Sequence, residues 1–432
     1  MQEKNVLIIS PNGFSSVGCN KTYETIFSSF KKENLKSFFT RPQDPNIDYN
    51  YCSNYYSVSE SDIISRLLLR TRQCGREVLC NSSTKYNSKI YNSFKNKKIK
   101  EIDIFKDVLW KSKLWNTPQF REWCKKIKAD LIFFHAPGSS GLHEIAWFVS
   151  KYLNIPLAVY FTDDYIISPI YNTLWSRLQQ VRRKKFYRKT IDKSFMAFCI
   201  GELMAEEYSK YFNRHFNHIM NAVDIVPFAD SPIYSSPIII SYFGGLHLNR
   251  WKMLVRLASI LKEYIHLCVY TASELTDEIQ KSFSDAQIEY CGCVVDDELY
   301  KARLKSDVLL HVESDDTKNR AYTRLAISTK IPEYLISGRV VLGFGPEEVA
   351  SMRILKDNDV GVVISSDLAD HEIKTSFCKS IYDKSTCESL RWRAYEYART
   401  HFDKKVIAAS FKEKLLSCFE STLMKNESLN CK

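Results

Sequence analysis

Short, unbroken apolar runs recur along the chain, each followed by a loop of small and polar residues and then by a segment whose apolar positions repeat at helical spacing. Asn5 to Ser10, Leu131 to Phe134, Leu157 to Phe161, Ala197 to Ile200 and His218 to Met220 form one series. Ile238 to Phe243, Ile265 to Tyr270, Ile288 to Cys291, Val308 to Val312 and Val340 to Leu342 form a second. Runs without polar alternation predict strands buried on both faces, and their alternation with helical patterns predicts parallel sheets covered by helices. Helices are expected over Lys21 to Lys31 and Arg250 to Lys262, and residues 60 to 128 read as amphipathic helix with Trp110, Trp115 and Trp123 in the core. The stretch from Val226 to Pro237 carries three prolines and little periodicity, which marks a linker. The chain therefore divides into an N-terminal domain over 1–228, a C-terminal domain over 238–405, and a helix and tail over 406–432 that packs back on the N-terminal domain.

The densest local signal runs from Ser328 to Gly345. Thr329 is placed to cap a short helix, Pro332 is tolerated in its first turn, Gly338 supplies a left-handed stop, and Val340 to Leu342 reads as an interior strand. Glu333 then sits near strand ends, where a carboxylate accepts hydrogen bonds from the vicinal hydroxyls of a ribose. Ser328, Thr329, Lys330 and the first-turn amides offer donors to a diphosphate. The alternative is an ordinary helix-to-strand unit with a surface glutamate. Near the N-terminus, Gly13 and Gly18 permit close backbone approach, so their loop can present backbone amides to a substrate. The loop that holds them lacks both the dinucleotide-binding glycine pattern and the P-loop lysine.

Composition narrows the classes. The 432 residues are 45% hydrophobic and 13% aromatic, which fits a globular chain with a large core and excludes disorder. No run approaches the ~18 consecutive apolar residues of a membrane span, and no secretory leader pattern opens the chain, so a cytoplasmic location is expected. The 13 cysteines lack paired zinc spacing; Cys291-Gly-Cys293 is the one close pair, and the cysteines read as reduced, mostly buried residues with no metal site. The net charge of +11 favours anionic partners. Basic residues concentrate at Lys95 to Lys100, Lys125 to Lys128 and above all Arg182, Arg183, Lys184, Lys185, Arg188 and Lys189, either a solvated helix face or a patch for an anionic membrane surface. No RNA-recognition signature is present, so nucleic acid is not an expected partner.

Several segments in order resemble glycosyltransferases of family 4, over most of residues 1 to 415. Gly201-Glu-Leu-Met-Ala-Glu-Glu-Tyr208, followed by His218-Ile-Met-Asn-Ala-Val-Asp224, is similar to the helix, strand and turn that close the family's first domain. Tyr242-Phe-Gly-Gly-Leu-His-Leu-Asn-Arg-Trp-Lys252 resembles the opening of its second domain. Asp307-Val-Leu-Leu-His-Val312, the Glu333 helix and Gly338-Arg-Val-Val-Leu342 resemble its nucleotide-binding end. There are departures. The family's paired-glutamate motif has an acid eight positions before the helix glutamate, and Leu325 stands there; Glu313, Asp315 and Asp316 are candidates to replace it. Ala222 stands where glycine is common, and Met253 follows Lys252 where the family has glycine.

The resemblance implies an α/β GT-B fold, two Rossmann-like parallel-sheet domains facing across a deep cleft. It implies transfer of a sugar, commonly a hexose, from a nucleotide diphosphate sugar to a glycan, lipid-linked or polysaccharide acceptor, with retention and no divalent metal or other cofactor. Arg250, Lys252 and Lys330 would neutralise the departing diphosphate, with Gly245 at the strand end. Asp163 and Asp164 stand where the family commonly has His-Asp and would orient acceptor or sugar, with His135 at a neighbouring strand end; Glu347 and Glu348 lie near the diphosphate or cap the next helix. A metal-binding acid pair is the alternative for Asp163 and Asp164, but adjacent acids point apart. Two other readings stay open: a sugar-nucleotide epimerase using Asp163, Glu313 or His135, and a non-catalytic nucleotide-sugar-binding protein.

Overall fold

A computed structural model describes residues 3–14, 21–41, 47–69, 73–79, 102–170, 172–229 and 235–430. Gly18, the Lys95 to Lys100 run and residues 230–234 of the expected linker lie outside them. The strands are β1 (Val6–Ser10), β2 (Leu35–Phe39), β3 (Asn54–Ser57), β4 (Arg76–Val78), β5 (Leu131–His135), β6 (Leu157–Phe161), β7 (Ser194–Cys199) and β8 (Asn217–His218). Then come β9 (Ile238–Phe243), β10 (Ile265–Tyr270), β11 (Glu289–Gly292), β12 (Val308–Val312), β13 (Val340–Gly345) and β14 (Val362–Ser365).

Among the described residues these strands form two sheets. The first has the order β4-β3-β2-β1-β5-β6-β7-β8 and is parallel except for the β3/β4 pair. The second has the order β11-β10-β9-β12-β13-β14 and is parallel throughout. Each contains a place where the direction of winding reverses, between β1 and β5 in the first and between β9 and β12 in the second. At such a point crossover loops diverge and leave a crevice at the carboxyl ends of the strands. The interior strands β1, β6, β12 and β13 are buried along their whole length, as unbroken apolar runs require, each Val, Leu or Ile side chain contributing roughly 1.5–3 kcal/mol.

The expected helix over residues 60 to 128 is wrong in part. Helices run over Glu60–Leu69, Ile102–Lys111 and Pro118–Lys126, and β4 lies between the first two, entered through Gly75 at φ +79°. Trp110, Trp115 and Trp123 are buried. Strands β2 and β3 escaped the hydrophobic pattern because polar side chains interrupt them. Tyr55 and Tyr56 are nonetheless fully buried, with Tyr55 edge-on to Phe39 and Tyr56 stacked on Phe38. The helix from Lys21 is also shorter than expected, ending at Ile26.

The chain separates into two compact units: residues 1–167, 171–220 and 405–432, and residues 168–170 with 221–404. The boundary at 228 therefore moves. Residues 221–229 belong to the second unit because Tyr395 donates to the Val226 carbonyl at 2.8 Å, buried Arg391 donates to the Ala229 carbonyl at 3.0 Å, and Phe228 packs edge-on against Trp392 and Tyr395. In the first unit, the C-terminal helix Lys404–Asn430 sets Phe411 among Phe27, Phe30, Phe133 and Phe198.

Candidate active site

In the second unit, β9 ends on Gly244-Gly245. A Cβ on Gly244 would lie 2.8 Å from the Tyr242 hydroxyl and 3.1 Å from Lys330 Nζ, and one on Gly245 would lie 2.5 Å from His247 Nδ1, so a side chain at either position would displace these groups where the chain leaves the sheet. The loop turns through left-handed Leu248 and Asn249 into the helix Arg250–Leu261. From that first turn Arg250 Nη2 donates to both carboxylate oxygens of Glu313, at 3.0 and 3.2 Å, and Glu313 directly follows β12. His311 Nε2 lies 3.2 Å from Glu313 Oε1. The winding reversal between β9 and β12 is what brings these residues together.

The group is largely withdrawn from water, with 14% of the Arg250 side chain and 3% of Glu313 exposed. Burial opposes charge on both, yet their partners win: the Glu313 charge raises Arg250, and the His311 hydrogen bond followed by the Arg250 charge holds Glu313 below the usual carboxylate range. Burial lowers His311, keeping it neutral at pH 7. Lys330 is lowered by burial first and by the Arg250 charge second. The Arg250 Nε–H is buried without a hydrogen-bond partner among the described residues, and so is that of Arg303. An unmet buried donor costs roughly 1–3 kcal/mol, which an acceptor-rich anion would offset.

Glu333 is not the solitary carboxylate expected from its helix position. It forms an ion pair with Arg303 Nη2, on the helix Asp296–Leu304, and both side chains are mostly buried. The Arg303 guanidinium also sits 5.7 Å from the Phe243 ring centre and 5.8 Å from that of Tyr334, while Phe243 stacks on Tyr270 at 4.6 Å. Arg303 and His311 were missed in the sequence because they have no motif of their own.

Other expected residues are placed differently. Lys252 is exposed, its ammonium 5.4 Å from the Trp251 ring. Thr329 makes no side-chain cap; Ser328 Oγ instead meets the Lys330 amide at 3.4 Å, and the helix is only Lys330–Leu335. Gly338, at φ +69°, does take the left-handed stop. Leu325 is fully buried. Of its possible replacements, Asp315 is exposed near Arg256 and Asp316 caps the helix Thr317–Thr323 through the Asn319 amide, so Glu313 alone of the three faces Arg250. Glu347 pairs with Lys356 and Glu348 with Arg320.

In the first unit, His135 ends β5 beside the winding reversal. Tyr23 hydrogen-bonds to its Nδ1, its Nε2 lies 2.8 Å from Thr162 Oγ1, and Thr162 donates to Asp163 at 3.3 Å. Burial, with the Arg41 charge adding, pushes His135 down to about 4, so it is neutral at pH 7. Roles then align in one direction: Tyr23 donates to His135, His135 to Thr162, Thr162 to Asp163. Asp164 points elsewhere and is fully buried, accepting from the Ile166 and Ile167 amides and the Tyr208 hydroxyl at 2.9–3.0 Å, which is a turn-forming role. Gly13 is buried, and a Cβ there would meet Ile47 and Phe39 at 3.1 Å.

The basic run on the helix Leu174–Lys193 is partly committed to the protein. Arg182 pairs with Asp107 at 3.2 Å, Arg183 donates to the Gly138 carbonyl, Arg188 donates to the Phe212 carbonyl, and Lys189 lies over Trp147. The same helix exposes Leu174, Trp175, Leu178 and Val181.

No protein-family model and no curated protein matches the chain. Solved structures do. HepE of Anabaena in complex with UDP aligns at a TM-score of 0.63 and 11% identity, covering 96% of this chain and 100% of that one. TarM of S. aureus, in complex with Fondaparinux, alpha-GlcNAc-glycerol and UDP, aligns at 0.60 and 11% identity, covering 97% and 100%. WaaG, a glycosyltransferase involved in lipopolysaccharide biosynthesis, aligns at 0.54 and 11% identity, covering 94% and 98%. The chain has the two-domain α/β fold of the GT-B glycosyltransferases.

Proposed function

We propose that the protein is a glycosyltransferase that moves a sugar, a hexose, from a nucleotide diphosphate sugar to a glycan, lipid-linked or polysaccharide acceptor, with retention and without a required metal. The observation that carries this reading is the buried cluster at the β9/β12 reversal, where Arg250 and Lys330 converge and the Arg250 Nε–H has no partner. A departing diphosphate carries charge that must be neutralised as the glycosidic bond breaks, and fixed cations out of water do this at little reorganisation cost. Glu313 acts as a positioning residue, holding the guanidinium through two hydrogen bonds. Glu333, held by Arg303, is assigned to the nucleoside end. Asp163, at the end of the Tyr23-His135-Thr162 chain, is assigned to the acceptor hydroxyl.

The assay is release of nucleoside diphosphate from UDP-, GDP- and ADP-sugars, with glycan and lipid-linked acceptors and no added divalent cation. One donor is expected to turn over. Arg250→Ala should lower kcat about 10²–10³-fold, as removal of one oxyanion donor does, while Lys252→Ala stays within a few-fold. Equal losses in the two variants would contradict the assignment. Product formed without an acceptor would favour the epimerase reading. Binding without turnover would favour a non-catalytic protein, the reading that buried Leu325 in place of an acid supports.

Exposed Leu174, Leu178 and Val181 lie four and three residues apart on one face of a basic helix, which supports docking at the inner face of the cytoplasmic membrane. Among the described residues no helix is long and apolar enough to cross a membrane. Flotation with anionic vesicles should fall with salt and be lost in Leu178→Glu/Val181→Glu; unchanged flotation of that variant would remove this helix as the anchor.

A further inference from the structure

β10 and β11 lie side by side at one edge of the second sheet, and one face of the pair carries donor groups that the transfer chemistry does not use. Strand alternation puts His266, Cys268 and Tyr270 on one face of β10, and Glu289 and Cys291 on one face of β11. Cys268 and Glu289 are direct partners across the parallel ladder. His266 Nε2 lies 2.5 Å from Glu289 Oε2, Cys268 Sγ lies 3.7 Å from the same oxygen, and the ligand atoms of these three residues all fall within 4.8 Å of one another. Half-buried Cys291 joins them, its thiol 3.8 Å from the Glu289 carbonyl oxygen.

We propose that His266, Cys268, Glu289 and Cys291 form a binding site for a divalent cation of the zinc class. An imidazole, a carboxylate and two thiols are the ligand types that Zn²⁺ takes in four-coordinate sites, and the sulfurs disfavour Mg²⁺ and Ca²⁺. Bonds of about 2.0–2.3 Å at tetrahedral angles separate donor atoms by about 3.3–3.8 Å, a spacing that the His266, Cys268 and Glu289 atoms, all within 4.8 Å of one another, reach by small side-chain rotations. The donors stand on paired strands, so the backbone that carries them is fixed before binding. Access is built in: the His266 and Glu289 side chains are 44% and 54% exposed above the buried Cys268. A plain surface ion pair accounts for His266 and Glu289 alone and leaves unexplained why two thiols converge on the same carboxylate. Binding releases the two thiol protons to solvent and leaves the imidazole neutral, so the site gains two negative charges to set against the ion. The spacing of the sequence concealed this site, since the ligands come from two strands and only Cys291 belongs to a recognisable cysteine pair.

The site stands apart from the transferase reading, and its test does not use activity. The full-length chain, reduced, tag-free and stripped of metal, is titrated with Co²⁺ and then Zn²⁺. One equivalent of Co²⁺ should give a thiolate-to-cobalt charge-transfer band that Zn²⁺ abolishes. Cys268→Ser should weaken the band, Cys268→Ser/Cys291→Ser should lose it, and the exposed change Glu289→Gln should weaken binding at least about tenfold. Cys378→Ser should keep both band and affinity. Circular dichroism of each variant reports its fold. No band in the wild-type chain, or a band retained in Cys268→Ser/Cys291→Ser, would overturn the proposal.

Discussion

Lys330 and His143 show how a single buried group ties stability to chemistry. His143 is fully buried, with Nδ1 2.7 Å from Thr190 Oγ1 and Nε2 3.1 Å from the Pro137 carbonyl oxygen, and burial pushes it down to about 3. Its folded value lies below the ordinary value of roughly 6.5, so its contribution is present above pH ~6.5 and is lost as pH falls toward ~3, on the order of 5 kcal/mol in all. Between pH 6.5 and 5, urea unfolding of the wild-type chain should lose about 2 kcal/mol that His143→Gln does not lose. Parallel slopes would show that His143 is charged in the fold. Residues of this kind are poorly legible in a sequence. Arg250 and Glu333 stood out through their strand-end positions, and Glu313 remained one of three acids. Arg303 lies thirty residues from Glu333 and meets it only because separate crossover helices converge.

At the scale of elements, the sequence was most readable where strands are interior. β6, β9, β10 and β12 have the boundaries that their apolar runs predict, because mostly buried strands carry few polar positions to blur them. β2 and β3 did not stand out, since their lysine, serine and tyrosine positions read as polar although the tyrosine rings are buried. The Ser328 to Gly345 unit was recovered as helix, left-handed stop and strand, but its capping oxygen moved from Thr329 to Ser328. The C-terminal helix is held by an aromatic cluster around Phe411, which is 2% exposed. Phe411→Ala should cost about 3–5 kcal/mol in chemical denaturation. A loss under 1 kcal/mol would mean that the helix is not integral to the first unit.

Across the whole molecule, two doubly wound sheets repeat one design: the winding reverses, the chain leaves on small residues, and polar side chains gather at the carboxyl ends. In the second unit this design collects more positive charge than its own acids satisfy. Lys330 expresses the consequence most directly, because burial and Arg250 both oppose its ammonium. Lys330→Met keeps the aliphatic length and removes that opposition. The decisive measurement is the thermal midpoint of wild-type and Lys330→Met protein, each with and without UDP, GDP and ADP. Ligand that binds only the folded state raises the midpoint by mass action. The site described here predicts a wild-type shift with one nucleoside diphosphate, an equal or higher midpoint for unliganded Lys330→Met, and loss of the shift in that variant. A full shift retained by Lys330→Met, or no shift with any of the three in the wild-type chain, would contradict it.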